Sequence, residues 1–130
     1  MVSVPAILDT SIFVAIEQRR PLARPLPDHV GVSVVTLAEL ELGVLMAKDG
    51  ESRATRLATL TRVREQTAGL PADERVASAY ARLASAELQA GRTPRVHDTW
   101  IAATALTHGG EVWTQDSDFT NFAAVKIVRL

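Results

Sequence analysis

Residues His97–Phe119 read HDTWIAATALTHGGEVWTQDSDF, and the division of this stretch into elements decides the fold. The spacing predicts a helix over Asp98–His108, with Asp98, Ile101, Ala102 and Ala105 on one face. A carboxylate therefore heads a stripe that should be buried. Gly109-Gly110 ends the helix. Glu111–Thr114 then reads as a short buried strand, and its carboxyl end delivers Gln115-Asp116-Ser117-Asp118-Phe119. Two acidic positions leave the chain close together, at Asp98 and in the Asp116–Asp118 loop.

Working outward, the start of the chain repeats the pattern. Val2–Leu8 is an apolar run of the kind found in central strands covered on both faces, and it ends at Asp9. Asp9-Thr10-Ser11 is a strand-to-helix turn, with a helix over Ile12–Gln18. Asp9 reads equally as a helix N-cap. Arg19–Asp28 (RRPLARPLPD) holds three prolines and is irregular. Gly31–Val35 reads as a second strand and Thr36–Lys48 as a helix, where Thr36-x-x-Glu39 fits a capping box. Glu39 also shares a stripe with Leu42 and Met46, and a carboxylate on an apolar stripe needs a partner.

Glu51–Gln66 forms the next helix, with Leu57, Leu60, Val63 and Arg64 along one side and Arg53, Arg56 and Arg62 on the other. A short strand fits Ala68–Leu70. Asp73 caps a helix running to Gln89, with Val76, Tyr80, Leu83, Ala84 and Leu88 toward the core. Val125–Leu130 closes the chain as a last strand. Strands alternating with helices predict an α/β fold: one domain over residues 1–130, a three-layer α/β/α sandwich on a mostly parallel sheet of four to five strands.

Composition narrows the function. Hydrophobic residues make up 47% and charged residues 22%, the balance of an ordinary globular domain. A formal charge of -1 gives no overall field toward nucleic acid or membrane, so a polyanion has to be held locally or through metal ions. With no cysteine, disulfides and thiolate metal sites are excluded. The apolar run Val4–Leu8 is too short for a signal peptide, and no stretch approaches membrane-spanning length; the expected location is cytoplasmic.

Four acids fall at matching places. Asp9 and Asp116 leave the carboxyl ends of strands, Glu39 sits in the first turn after the second strand, and Asp98 begins the helix before the fourth. Right-handed crossovers bring such points to one edge of a parallel sheet. Capping does not require carboxylates at all four. Clustered, they repel unless a cation neutralises them. Hard ions such as Mg2+ or Mn2+ prefer oxygen donors, and one or two of them could bind and polarise a phosphodiester.

LDTSIF (Leu8–Phe13), TLAEL (Thr36–Leu40), HDTWIAATAL (His97–Leu106) and TQDSDF (Thr114–Phe119) together resemble the PIN-domain ribonucleases, especially the VapC-type toxins of bacterial toxin–antitoxin pairs. The resemblance spans nearly the whole chain. It implies a metal-dependent endoribonuclease, usually a homodimer, silenced by a small VapB-type antitoxin. It further implies that Asp9, Glu39, Asp98 and Asp116 are the catalytic, metal-binding acids, with Asp118 auxiliary and Ser11 and Thr114 as polar support. His97 stands where many relatives have asparagine. Arg92 and Arg95, just ahead of Asp98, are candidates for RNA-backbone contact, although solvated loop charges account for them as well. Trp100 and Trp113 could stack on bases but fit core or interface positions.

The competing readings are non-catalytic or differ in substrate. A phospho-acceptor module with Asp9 as acceptor and Lys126 as its lysine leaves Glu39 and Asp98 without a role. A dinucleotide-binding module lacks the glycine fingerprint after the first strand. A fold kept only for partner binding has no need of every acid. A DNA-directed nuclease of the same fold stays open, since no residue is seen to read a 2′-hydroxyl.

Overall fold

The computed structural model describes residues 5–130. The expected first strand narrows to β1 (Ala6–Leu8), its earlier residues Val2–Val4 lying outside the described part. There follow α1 (Thr10–Glu17), β2 (Val30–Ser33), α2 (Val34–Leu45), α3 (Gly50–Gln66), β3 (Ala68–Leu70), α4 (Glu74–Gln89), α5 (Val96–Thr107), β4 (Glu111–Thr114) and β5 (Ile127–Arg129). The five strands form one wholly parallel sheet in the order β3-β2-β1-β4-β5. The α/β sandwich expected from the alternation is therefore the architecture found. No helix among the described residues is long and apolar enough to cross a membrane.

Strand alternation splits the core in two. Ile7 and Val112 join Val76, Leu83, Ile101 and Phe119 beneath α4 and α5. Ala6, Leu8, Val32 and Trp113 join Ile12, Phe13, Leu40 and Leu60 on the other face. Side chains of successive strand residues point to opposite faces, so a strand buried on both sides must be apolar throughout. Trp113 is buried, its Nε1 donating to Glu111 Oε1 at 2.9 Å, and Trp100 stacks on Tyr80 with ring centroids 4.4 Å apart. Trp113 thus takes a core position, and Trp100 lies partly buried against the core.

The chain runs outward from β1 to β2 and β3, then returns to lay β4 on the other side of β1. The gap beyond the carboxyl ends of β1 and β4 is thus the switch point of the sheet, where open parallel sheets leave a crevice. Two glycines set this junction. Gly109 takes φ +65°, the left-handed conformation that ends α5. Gly110 lies so close to β1 that a Cβ there would sit 2.5 Å from the Pro5 carbonyl oxygen.

Several sequence expectations are corrected. Helix α2 begins at Val34 with Ser33 as its cap, the Ser33 hydroxyl accepting from Val35 N at 3.1 Å. The Thr36–Glu39 capping box is therefore absent, and Glu39 lies in the second turn rather than the first. Its supposed stripe-mates Leu42 and Met46 are 58% and 69% exposed, while Thr36, Leu40 and Val44 are buried. In α3 only Leu60 and Val63 are buried, Leu57 being 48% exposed and Arg64 exposed. Two of its arginines have work to do: Arg53 donates to the Ala47 carbonyl and Arg56 to the Gly43 carbonyl, closing the end of α2. In α4, Leu88 is exposed and Ala79 and Glu87 take inward positions instead. Glu87 is tolerated there because Arg92 pairs with it at 2.7 Å.

Candidate active site

One open cleft at the switch point is lined by Asp9, Glu39, Asp98 and Asp116, with Ser11 and Arg95 among their neighbours. The four acids come from four places: the end of β1, the second turn of α2, the first turn of α5 and the loop after β4. Asp9 and Asp98 are buried, each 7% exposed.

Asp9 has the backbone of an N-cap, yet its side chain makes no capping bond. Its Oδ2 accepts instead from Ser11 Oγ at 2.7 Å and from Thr114 Oγ1 at 2.8 Å. The same two hydroxyls accept the first amides of the acidic loop, Gln115 N to Ser11 at 2.9 Å and Asp116 N to Thr114 at 3.0 Å. A hydroxyl that donates one way and accepts another is a rigid coupler. Ser11 and Thr114 thereby fix the ends of β1 and β4 to each other. Burial drives the Asp9 carboxyl pKa above its ordinary value; the two hydroxyl bonds oppose this and the charge of Asp98 adds to it.

Asp98 is held by Thr120, whose N and Oγ1 donate to its Oδ2 at 2.9 and 3.0 Å. Glu39 accepts from Thr10 Oγ1 at 2.9 Å, and His97 Nδ1 stands 3.5 Å from its other oxygen. Asp116 Oδ1 accepts from Asp118 N at 2.8 Å, the local turn that aspartate side chains favour. That turn leaves Asp118 exposed and outside the cleft lining, so the auxiliary acid does not stand with the other four. Thr10 and Thr120 were not singled out in the sequence. Thr10 sits inside the DTS turn, where it could have been noticed, whereas nothing local marks Thr120.

Arg95 departs most from expectation. Its Nε lies 3.0 Å from Asp98 Oδ2 and its Nη2 lies 2.9 Å from Asp116 Oδ2, while Nη2 also donates to the Asp118 carbonyl. Desolvation, which alone would lower the Arg95 pKa, is outweighed by its bonds and attraction to Asp116 and Asp98, and the value is raised. Arg92, the other candidate for RNA contact, is committed to Glu87 outside the cleft.

The donor chemistry of the cleft suits a hard divalent cation: the carboxylates of Asp9, Glu39, Asp98 and Asp116 dominate the polar part of its lining. Their placement is not that of a ready-made ion site. Among the described residues no three acidic or histidine side chains are placed to hold one ion. Each carboxylate is held by donors of the protein, and Arg95, shared by Asp98 and Asp116, places a positive charge between those two.

Thr114→Val tests the coupler. It leaves the buried Asp9 carboxylate one donor short and the Asp116 amide without its acceptor. The expected stability loss is about 1–3 kcal/mol, read as a lower Tm. An unchanged Tm contradicts the coupling role.

Comparison with known proteins follows the same lines. The PIN domain profile matches residues 6–125. The chain is 45% identical over 128 residues to Ribonuclease VapC5 of Mycobacterium tuberculosis, covering 95% of this chain and 94% of that protein. It is 40% identical over 130 residues to Ribonuclease VapC4 of the same organism, covering 96% of each. Among solved structures, a member of the VapBC family of toxin–antitoxin systems, VapBC-5 from Mycobacterium tuberculosis, matches with TM-score 0.86 and 42% identity, over 98% of this chain and all of that one.

Proposed function

Because this chain belongs to the PIN-domain family, in its VapC group, we propose that it is an endoribonuclease and the toxin half of a toxin–antitoxin pair. It hydrolyses RNA phosphodiester bonds with the help of one or two Mg2+ or Mn2+ ions. The observation that carries this reading is the convergence of Asp9, Glu39, Asp98 and Asp116 from four elements on one cleft. A phospho-acceptor module leaves Glu39 and Asp98 idle, and no capping bond accounts for Asp9.

A divalent ion held by Asp9, Glu39, Asp98 and Asp116 would supply Lewis acidity and activate water for attack near neutral pH. The chain's own contribution is the placement of acids: Ser11 and Thr114 orient Asp9, Thr120 orients Asp98 and Thr10 orients Glu39. The proposed partners are RNA, a VapB-type antitoxin and a second copy of the chain. Relatives titled as toxin–antitoxin assemblies support the antitoxin. So does an apolar groove beside the acidic cleft, lined by Ala38, Leu42, Val96 and Trp100.

The test incubates purified protein, freed of any partner, with single-stranded and structured RNAs in Mg2+ or Mn2+, then with chelator. Asp98→Asn, which keeps shape and removes charge, runs alongside. Chelator is expected to abolish cutting, and the variant to cut at least about 100-fold more slowly with its circular dichroism unchanged. Cutting that survives chelator overturns metal dependence, and cutting at full rate by the folded variant removes Asp98 from the site. Cleavage of DNA but not RNA transfers the reading to a DNA-directed nuclease.

A further inference from the structure

The cleft contains its own cation, and that cation spans two of the acids proposed to hold the metal. We propose that Arg95 competes with the divalent ion: in the ion-free protein its guanidinium occupies Asp98 and Asp116, and an ion takes those carboxylates only as Arg95 withdraws. This rests on the metal-dependent reading above and adds what sets the affinity of that site.

Geometry separates the mobile member from the fixed ones. The Asp98 side chain is 10% exposed and anchored twice by Thr120, so it cannot leave without disturbing the β4–β5 connection. Arg95 stands at the cap position of α5, ahead of the first helical residue, and its side chain is 51% exposed. A long half-exposed side chain reaches in from solvent and can retreat to solvent without repacking the core.

Chemistry makes the occupancy competitive. The guanidinium stays charged at every accessible pH, so it is displaced by another charge and not switched off by deprotonation. Two cations cannot share Asp98 and Asp116 without repelling each other at close range. A state that blocks the site raises the apparent dissociation constant by the factor of its population.

The experiment is calorimetric titration of the purified, partner-free chain with Mn2+, comparing wild type, Arg95→Gln, Arg95→Lys and Arg92→Gln. Arg95→Gln keeps the reach and hydrogen-bonding capacity but removes the charge. Arg92→Gln removes an equal charge outside the cleft. Arg95→Gln is expected to bind Mn2+ about tenfold more tightly than wild type, equivalent to about 1.4 kcal/mol. Arg95→Lys, which retains charge without the fork, should fall between them, and Arg92→Gln should match wild type. Binding by Arg95→Gln where wild type shows none also supports the proposal. Equal or weaker binding by Arg95→Gln, with wild type binding normally, overturns the competition and leaves metal dependence standing. No binding by any of the four overturns both. If circular dichroism shows Arg95→Gln unfolded, Arg95→Lys is judged by the same criterion: tighter than wild type supports competition, and equal or weaker rejects it.

Discussion

Asp9→Asn is expected to slow RNA cleavage by about 10²–10³-fold and, at the same time, to raise the Tm at pH 7. The slowing follows from the placement of Asp9 at the switch point, where removing one charge from a preorganised site typically costs about 10²–10³ in rate. The gain in stability follows from burial. Asp9 is 7% exposed, and its carboxyl is raised above the ordinary value chiefly by desolvation. A carboxyl with a folded pKa above its unfolded one binds its proton more readily in the native state. Between the two values native stability therefore falls as pH rises, and at neutral pH the ionised group is a net burden. Asparagine carries no charge, and its oxygen can still accept from Ser11 and Thr114. The advantage of Asp9→Asn should be greatest at pH 7 and shrink as pH falls through the folded pKa of Asp9. Thermal melts of both proteins across that range read the effect. A variant that melts lower than wild type at pH 7 contradicts the assignment of Asp9 as a buried acid held for function rather than for folding.

Gly110→Ala should be the most damaging single methyl in the sheet. The added Cβ would lie 2.5 Å from the Pro5 carbonyl oxygen and 3.1 Å from Pro5 Cγ. That oxygen also accepts the Glu111 amide at 3.0 Å, where β4 starts beside β1. The backbone has to give way, and it is the backbone that carries Asp9 and Asp116 at its other end. Overpacking of this kind costs about 1–3 kcal/mol, or a Tm loss of roughly 4–12 °C for a chain of this size. Gly50→Ala is the control: nothing lies within 4 Å of a Cβ built there, in the first turn of α3. Its Tm should equal or exceed that of wild type. Equal Tm values for Gly110→Ala and wild type would show that the β1–β4 contact is looser than described.

The parts of this fold legible in the sequence are those where burial leaves one pattern available. A strand covered on both faces must be apolar, so β1, β2 and β4 stand out, and the acids that follow them mark the carboxyl edge. Helix α2 hides its buried face because it is apolar nearly all round. Val34, Leu42 and Leu45 are exposed while Leu40 and Val44 are buried, and no stripe in the sequence separates the two sets. The β-branched run Val34-Val35-Thr36 likewise hid the cap at Ser33. In α4 the choice of Glu87 over Leu88 depends on Arg92, five residues beyond and after the helix end. The four acids of the cleft were legible by position, whereas their hydroxyl and guanidinium partners were not. Those contacts join residues as distant as Asp9 and Thr114, and no spacing rule along the chain reports them.

Crystals of the partner-free protein grown with Mn2+ and measured at the manganese absorption edge put the central claim to its most direct test. The account predicts an anomalous peak in the cleft, within coordination distance of Asp9 or Asp98, with the Arg95 guanidinium withdrawn from Asp98 and Asp116. A saturated crystal with no peak there, and with Arg95 still bridging the two carboxylates, would contradict it.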